Sequence, residues 1–336
     1  VKYESKEWGA VPELLRTEWA LSLGGLRLRA GRVPWQDPLG YIAGGLFDGV
    51  EASVDAGAGE FHAAAFYTGF LYKKTARITM TDEEAAAAAL PLDYGDFAGT
   101  YLAPRRLLAA AGFEHPGIAE TLRLKTALIA QYDLRPEELR LHTGYLAARA
   151  ALPLGSSLTA SAGAAAELIL TDRDGRLTQA LAFAGDLGLD WALPTAIPDR
   201  LSLLGRYSSG GGSTGSPVVG AFTPVTTEPQ GRVLRAKLSS LSMIQAAWRA
   251  RLRRDLSLSA EAAWFIRGDP AAWKGRPSGP SGRLLGAEFF AETHWSPVPD
   301  LQLRLGGGAF LPALGNTAPS DPPFWRVELG LLLAAY

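Results

Sequence analysis

From residue 14 onward the sequence alternates apolar and polar residues with a period of two, and the joints between alternating segments are by turns short and long. Residues 14–32 set the pattern. Leu15, Thr17, Trp19, Leu21 and Leu23 share one face of an extended strand, and Arg16, Glu18, Ala20 and Ser22 share the other. Gly24 and Gly25 signal a hairpin, because tight primed turns need positive φ at low steric cost. The return strand sets Leu26, Leu28 and Ala30 against Arg27, Arg29 and Gly31. One such hairpin suits a soluble sheet, and equally a membrane barrel with Leu and Trp toward lipid and charges toward a wet interior. A chain made almost wholly of them separates the two.

Period-two segments fall at 1–8, 13–24, 25–33, 48–57, 60–72, 99–113, 118–132, 139–150, 156–171, 176–191, 199–208, 233–253, 255–267, 283–295, 300–311 and 324–336. Most are about 9–15 residues long, against the ~5–6 usual in soluble sheets, and match a tilted strand crossing a bilayer. Short joints at 24–25, 57–59, 114–117, 152–155, 193–198, 254–255 and 296–299 alternate with the connections 8–12, 33–49, 73–98, 133–138, 172–175, 208–231, 268–282 and 312–323, several of them long. Short turns at one end and longer loops at the other are the asymmetry of an outer-membrane barrel. The expectation is therefore all-β: a single transmembrane antiparallel β-barrel over 1–336, of about 16 strands (14–18), an even count if both termini are periplasmic.

Composition excludes competing classes. The chain has 336 residues, 47% hydrophobic, and a mean hydropathy of +0.04, which argues against both disorder and a helical membrane protein. No apolar run reaches the ~18 residues of a spanning helix. A net charge of −1 offers no basic field for nucleic acid. The absence of cysteine removes disulfides, thiolate catalysis and Cys-ligated zinc. No signal peptide is visible at Val1, so an exported protein would be read here in mature or trimmed form.

Some segments are ambiguous. Residues 99–113 also read as a Pro-initiated helix. In 324–336 the charges Arg326 and Glu328 turn Trp325, Val327, Leu329 and Leu331 outward, and a bulge near Leu332 would bring Tyr336 into phase. Thr81 and Glu84 form a capping-box pattern ahead of an alanine run, predicting a short helix that ends before Pro91. Trp19, Trp191, Trp295 and Trp325 fall where aromatic girdles belong.

Chemical motifs are few. GGSTG at 211–215 matches a serine-hydrolase pattern but lacks its strand–turn–helix context. DRDG at 172–175 lacks the remaining ligands of a calcium loop and reads as a hairpin turn. His62, His115, His142 and His294 show no metal-binding spacing, and His142 is expected to face the interior beside Arg140. No catalytic residue, metal or cofactor is expected, and no enzyme activity.

The inward charges carry the functional reading. Arg27, Arg29, Arg123, Lys125, Arg140, Arg249, Arg251, Arg253, Glu288, Glu292 and Arg304 are the expected pore-lining set, either filtering solutes by charge or bracing the wall through cross-strand pairs. Arg16 and Glu18 against Arg27 and Arg29 look like bracing. Residues 249–253 lack an evident local partner set and look like pore lining. The long loops 33–49, 73–98 and 208–231 are candidates to fold into the lumen, the last because its apolar PVVGAFTPV would be poorly solvated.

Residues 14–54, where LRLRAGR is followed by a loop and LFDGVEASV, resemble porin-like outer-membrane barrels of the alginate-export type. The resemblance implies a monomeric or small oligomeric barrel, a lumen lined with Arg and carboxylates, and passive transport of polar or anionic solutes. Polymer specificity is not carried over. The resulting expectation is a bacterial outer-membrane channel for small polar or anionic solutes. Its partners would be outer-membrane lipid, the solutes, and a further copy or envelope protein. The alternatives are a plugged barrel for hydrophobic compounds, a structural or surface-contact protein and, behind these, an outer-membrane hydrolase.

Overall fold

The structure, a computed structural model, describes residues 2–4, 7–9, 11–135, 140–173, 176–210, 219–268, 282–317 and 320–334. β1 (Lys2–Glu4) and β2 (Glu7–Gly9) make a hairpin of their own. Fifteen further strands form one sheet in strict chain order. They are β3 (Thr17–Leu23), β4 (Leu26–Gln36), β5 (Gly44–Asp55), β6 (Glu60–Tyr67), β7 (Arg106–Ile118), β8 (Leu122–Asp133), β9 (Leu141–Leu154), β10 (Leu158–Arg173), β11 (Arg176–Ala192), β12 (Asp199–Ser208), β13 (Leu241–Arg253), β14 (Leu256–Arg267), β15 (Leu284–Val298), β16 (Leu301–Leu311) and β17 (Phe324–Leu333). Short turns and longer loops alternate along them as the sequence predicts, except between β10 and β11, where only residues 174–175 intervene.

The boundaries differ in instructive places. Residues 2–4 and 7–9, over the segment read as a first strand, pair with each other and not with the sheet. The loop expected at 33–49 shrinks to 37–43, because β4 and β5 stay paired as far as Gln36 and Gly44. There the Asp37 carboxylate accepts the amides of Leu39, Gly40, Ile42 and Ala43 at 2.7–3.0 Å. Burial pushes this carboxyl up and the four amides draw it back. Residues 99–113 split into a helix and a strand: α2 (Phe97–Tyr101) precedes β7. Residues 233–240 are not strand, and β13 begins only at Leu241. β16 and β17 pair without a register shift from Phe324 to Leu333, so no bulge interrupts Leu332; Tyr336 lies outside the described residues. Also outside them are GGSTG at 211–215 and Asp174 and Gly175 of DRDG. The predicted helix forms as α1 (Asp82–Ala89), with both halves of the Thr81–Glu84 capping box made.

The chain divides into two compact units. Unit 1 comprises 1–149, 165–181 and 223–228. One face of its strands exposes Trp19, Leu23, Val50, Phe61, Leu128 and Leu146, while the other buries Val33, Phe47, Phe66, Ile129 and Tyr145. Against that buried face runs the segment 223–228. Thr226 donates to the Ile42 carbonyl at 3.1 Å, its hydroxyl accepts from Gly44 at 2.8 Å, and Thr79 donates to the Val225 carbonyl at 2.9 Å. Glu167 accepts the Thr223 amide at 2.7 Å, and Tyr145 donates to the Thr223 carbonyl at 2.5 Å. α1 is tied down by Arg106, fully buried, between Glu84 at 2.8 Å and Asp133 at 2.9 Å.

Unit 2 comprises 150–164, 182–222 and 229–336. It exposes Leu187, Trp191, Leu203, Ile244, Trp264, Phe289, Leu305, Trp325, Leu329 and Leu331 on one face. Its opposite face carries a core of Leu241, Met243, Ala263, Phe265, Leu285 and Phe310, against which Val233, Leu234 and Ala236 pack. In both units, then, large apolar side chains lie outside while Arg106, Glu167 and Glu288 are buried. Water penalises such exposed apolar area by about 25 cal/mol per Å², whereas hydrocarbon accepts it.

Candidate functional site

The site is built in unit 2 by strand register. β12 and β13 pair so that Arg200 stands directly opposite Arg249, with Arg251 two residues farther along the same face. On β14, Ser257 and Ser259 oppose Arg251 and Arg249, and on β15 His294 and Glu292 oppose those serines. These residues, with Arg232 and Glu261, line a cavity of about 980 Å³. Like charges placed directly opposite on a sheet repel, and here the acid within reach, Glu261, stays at the limit of ion pairing. Arg200 and Arg251 make no ion pair among the described residues, and Arg249 comes no closer than 4.0 Å to Glu261.

The acids on β15 and β17 are already taken. Glu292 is nearly buried and accepts from Arg232 at 2.7 Å, from Arg304 at 2.5 Å and from His294. Glu328 meets Arg304 at 3.1 Å, Arg232 at 3.2 Å and Arg326 at 2.6 Å. Glu288, 2% exposed, accepts the backbone amides of Arg232, Val233 and Leu234 at 2.6, 3.1 and 2.9 Å. What remains open to the cavity is mostly cationic: beside the arginines its lining holds Glu261, which accepts from Gln245 at 2.9 Å, and Asp199, which accepts from Trp248 at 3.2 Å.

Unit 1 contains a second cavity, of about 580 Å³, with Arg29, Glu51, Glu60, Glu114, Lys125 and Arg149 among its lining. There each cation has a partner. Arg29 pairs with Glu51 and reaches Glu18 at 3.8 Å, and Lys125 meets Glu114 at 2.8 Å. Arg149 donates to the Leu39 carbonyl at 3.2 Å, and Arg27 meets Glu60 at 2.7 Å.

Of the residues singled out from sequence, the structure brings Arg249, Arg251 and Glu292 to the unit 2 cavity, with Arg304 bonded to Glu292 behind them. It brings Arg29 and Lys125 to the unit 1 cavity. Four others sit elsewhere. Arg253 pairs with Asp255 at 2.6 Å in the turn, and this hydrogen bond holds the Asp255 carboxyl down at about 2. Arg140 donates to the Arg135 carbonyl at 2.6 Å in the loop ahead of β9. Arg123 is exposed and makes no ion pair among the described residues. Glu288 lies under residues 232–234. His142 does not face the interior: its ring stacks on the exposed Tyr132, centroids 4.4 Å apart. Sequence reading missed Arg200 and Arg232. Arg200 shares the phase of Ser202 and Arg206, which is the signal that could have found it. Arg232 sits just outside a segment read as strand. Among the described residues no group of three or more His, Cys, Asp or Glu could hold a metal ion.

No protein-family model matches the sequence, and no curated protein matches it either. Solved structures do. Pseudomonas aeruginosa OccK11 (OpdR) is 12% identical, with a TM-score of 0.58 over 94% of this chain and 79% of that one. The same organism's OpdK, crystallised with vanillate, is 11% identical, with a TM-score of 0.57 over 94% and 76%. Its outer membrane protein OprD is 13% identical, with a TM-score of 0.55 over 94% and 77%. The chain shares the all-β antiparallel fold of these outer-membrane barrels; among the described residues its sheet runs from β3 to β17 without a pairing between those two strands. These structures carry the coarser half of the resemblance at residues 14–54; the alginate-export type is not supported by them.

Proposed function

We propose that this protein is an outer-membrane channel for small anionic solutes, with Arg200, Arg249 and Arg251 as its selecting residues. The observation that carries the reading is the register pair Arg200–Arg249. Two guanidinium groups held opposite each other, with Arg251 beyond and Glu261 no closer than 4.0 Å, are stabilised most by an anion between them. Arginine offers a planar fork to a carboxylate, so a carboxylate passing the cavity can trade its water for two parallel hydrogen bonds at little reorganisation cost. The exposed Leu, Trp and Phe face supports residence in a bilayer, where it would meet hydrocarbon. OpdK, whose fold the chain shares, has been crystallised with vanillate, a small aromatic carboxylate. That favours the same chemistry here.

Conduction in planar bilayers tests the reading. Refolded, heat-modifiable protein is expected to give stable current steps that fall reversibly when a small carboxylate such as vanillate is added. The uncharged methyl ester should leave them unchanged. Equal effects of acid and ester would remove the charge-based reading. A folded barrel without current would instead favour the plugged alternative, which the full burial of Phe222 and Val225 motivates.

A further inference from the structure

Residues 230–236 of unit 2 form a small finger outside the sheet. Gln230 and Ala236 exchange both backbone hydrogen bonds, at 2.8 and 2.9 Å, closing the base. The base is anchored by Arg206, which donates to the Gln230 side chain at 2.7 Å. Gly231 turns the chain at φ +81°, and a Cβ there would lie 2.7 Å from the Glu288 carboxylate oxygens and 2.6 Å from Phe265. The next three amides converge on Glu288. A row of amides around one anion is a nest, and here the protein fills it with a side chain of its own.

We propose that this finger is a movable wall of the unit 2 cavity and that Glu288 is the catch that holds it. Three features make two positions workable. First, Glu288 makes no ion pair among the described residues; the three amides alone compensate its burial, and cavity water would do so once the finger left. Second, Arg232, the finger's contribution to the cavity wall, leaves no orphan behind. Glu292 keeps Arg304 and His294, and Glu328 keeps Arg304 and Arg326. Third, the finger's apolar contacts are partial: Val233, Leu234 and Ala236 are only half-buried, and Arg235 is held at φ +52°. A non-glycine residue in that region is strained, and release relaxes it. Withdrawal of Arg232 would widen the cavity beside the arginine row. The inference concerns the wall and not transport, so it stands or falls separately from the channel reading.

The lack of cysteine makes the test clean. V233C in the full chain, folded in detergent, should react slowly with a cationic methanethiosulfonate. Adding E288Q, which keeps the shape and removes the charge, should raise the rate at least tenfold, and E288A at least as much, in protein that remains heat-modifiable. Equal rates in all three backgrounds would overturn the proposal. Should both Glu288 variants fail to fold, amide exchange on the unaltered protein decides. Residues 231–236 should exchange at least a hundredfold faster than β13 and β14, and equally slow exchange would overturn it.

Discussion

The two cavities are made of the same materials and use them differently. In unit 1, Arg29, Arg27 and Lys125 face Glu51, Glu60 and Glu114, and Arg149 donates to a backbone carbonyl, so each cation has an internal partner. In unit 2 the acids Glu292 and Glu328 are satisfied by Arg232, Arg304, Arg326 and His294, while the register leaves Arg200, Arg249 and Arg251 together. Charge content alone does not distinguish a brace from a binding surface. What decides is whether the register sets opposite or like charges beside one another.

The bracing side of this contrast is tested hardest at Arg106. R106M leaves Glu84 and Asp133 with Arg135 as their remaining cation, at 3.4 and 2.7 Å, so the loss should fall below the about 3–5 kcal/mol of a fully unpaired buried charge, at roughly 2 kcal/mol. Urea unfolding in detergent should show it, and a loss below ~1 kcal/mol would mean the pairing in unit 1 is incidental. The next variant makes one cavity resemble the other. E51Q removes the nearer partner of Arg29, and unit 1 should then add to anion preference by roughly twofold, the effect of one partly screened charge. No change would place that cavity off the solute path. R200Q acts in the opposite direction on unit 2. Relief of a like-charged cross-strand pair should raise stability by a few tenths of a kcal/mol, about the size of an ordinary cross-strand term; a loss would show the arginines already compensated. The smallest effect is expected at the turn, where R253Q should leave ion selectivity unchanged because Arg253 is engaged by Asp255.

How much was legible follows from the range of each interaction. Period two is local, and here it is enforced on both faces by solvent on one side and, on the proposed reading, lipid on the other. The strands and the alternating connection lengths could therefore be read directly. The α1 helix was legible for the same reason, since Thr81 and Glu84 carry its start signal within one turn. Residues 233–240 misled because Val233, Arg235 and Lys237 keep a strand-like rhythm while three amides just there are claimed by Glu288, far along the chain. Loop 37–43 was over-drawn because one side chain, Asp37, does the work of a longer turn. For the site, phase correctly put Arg249 and Arg251 on one face, but only register could set Arg200 against them. Arg253 kept the same rhythm and still left the row, because β13 bulges between Arg251 and Arg253 at the turn.

The central claim is that an under-compensated arginine row, and not total charge, selects the solute. Reversal potential across a tenfold potassium chloride gradient tests it most directly, comparing the parent protein with R200Q/R249Q/R251Q and with E114Q/K125Q, which removes a compensated pair whole. The parent should prefer chloride, the triple variant should lose that preference or invert it, and the unit 1 double variant should stay near the parent. Equal shifts in both variants, or none in the triple, would contradict the account.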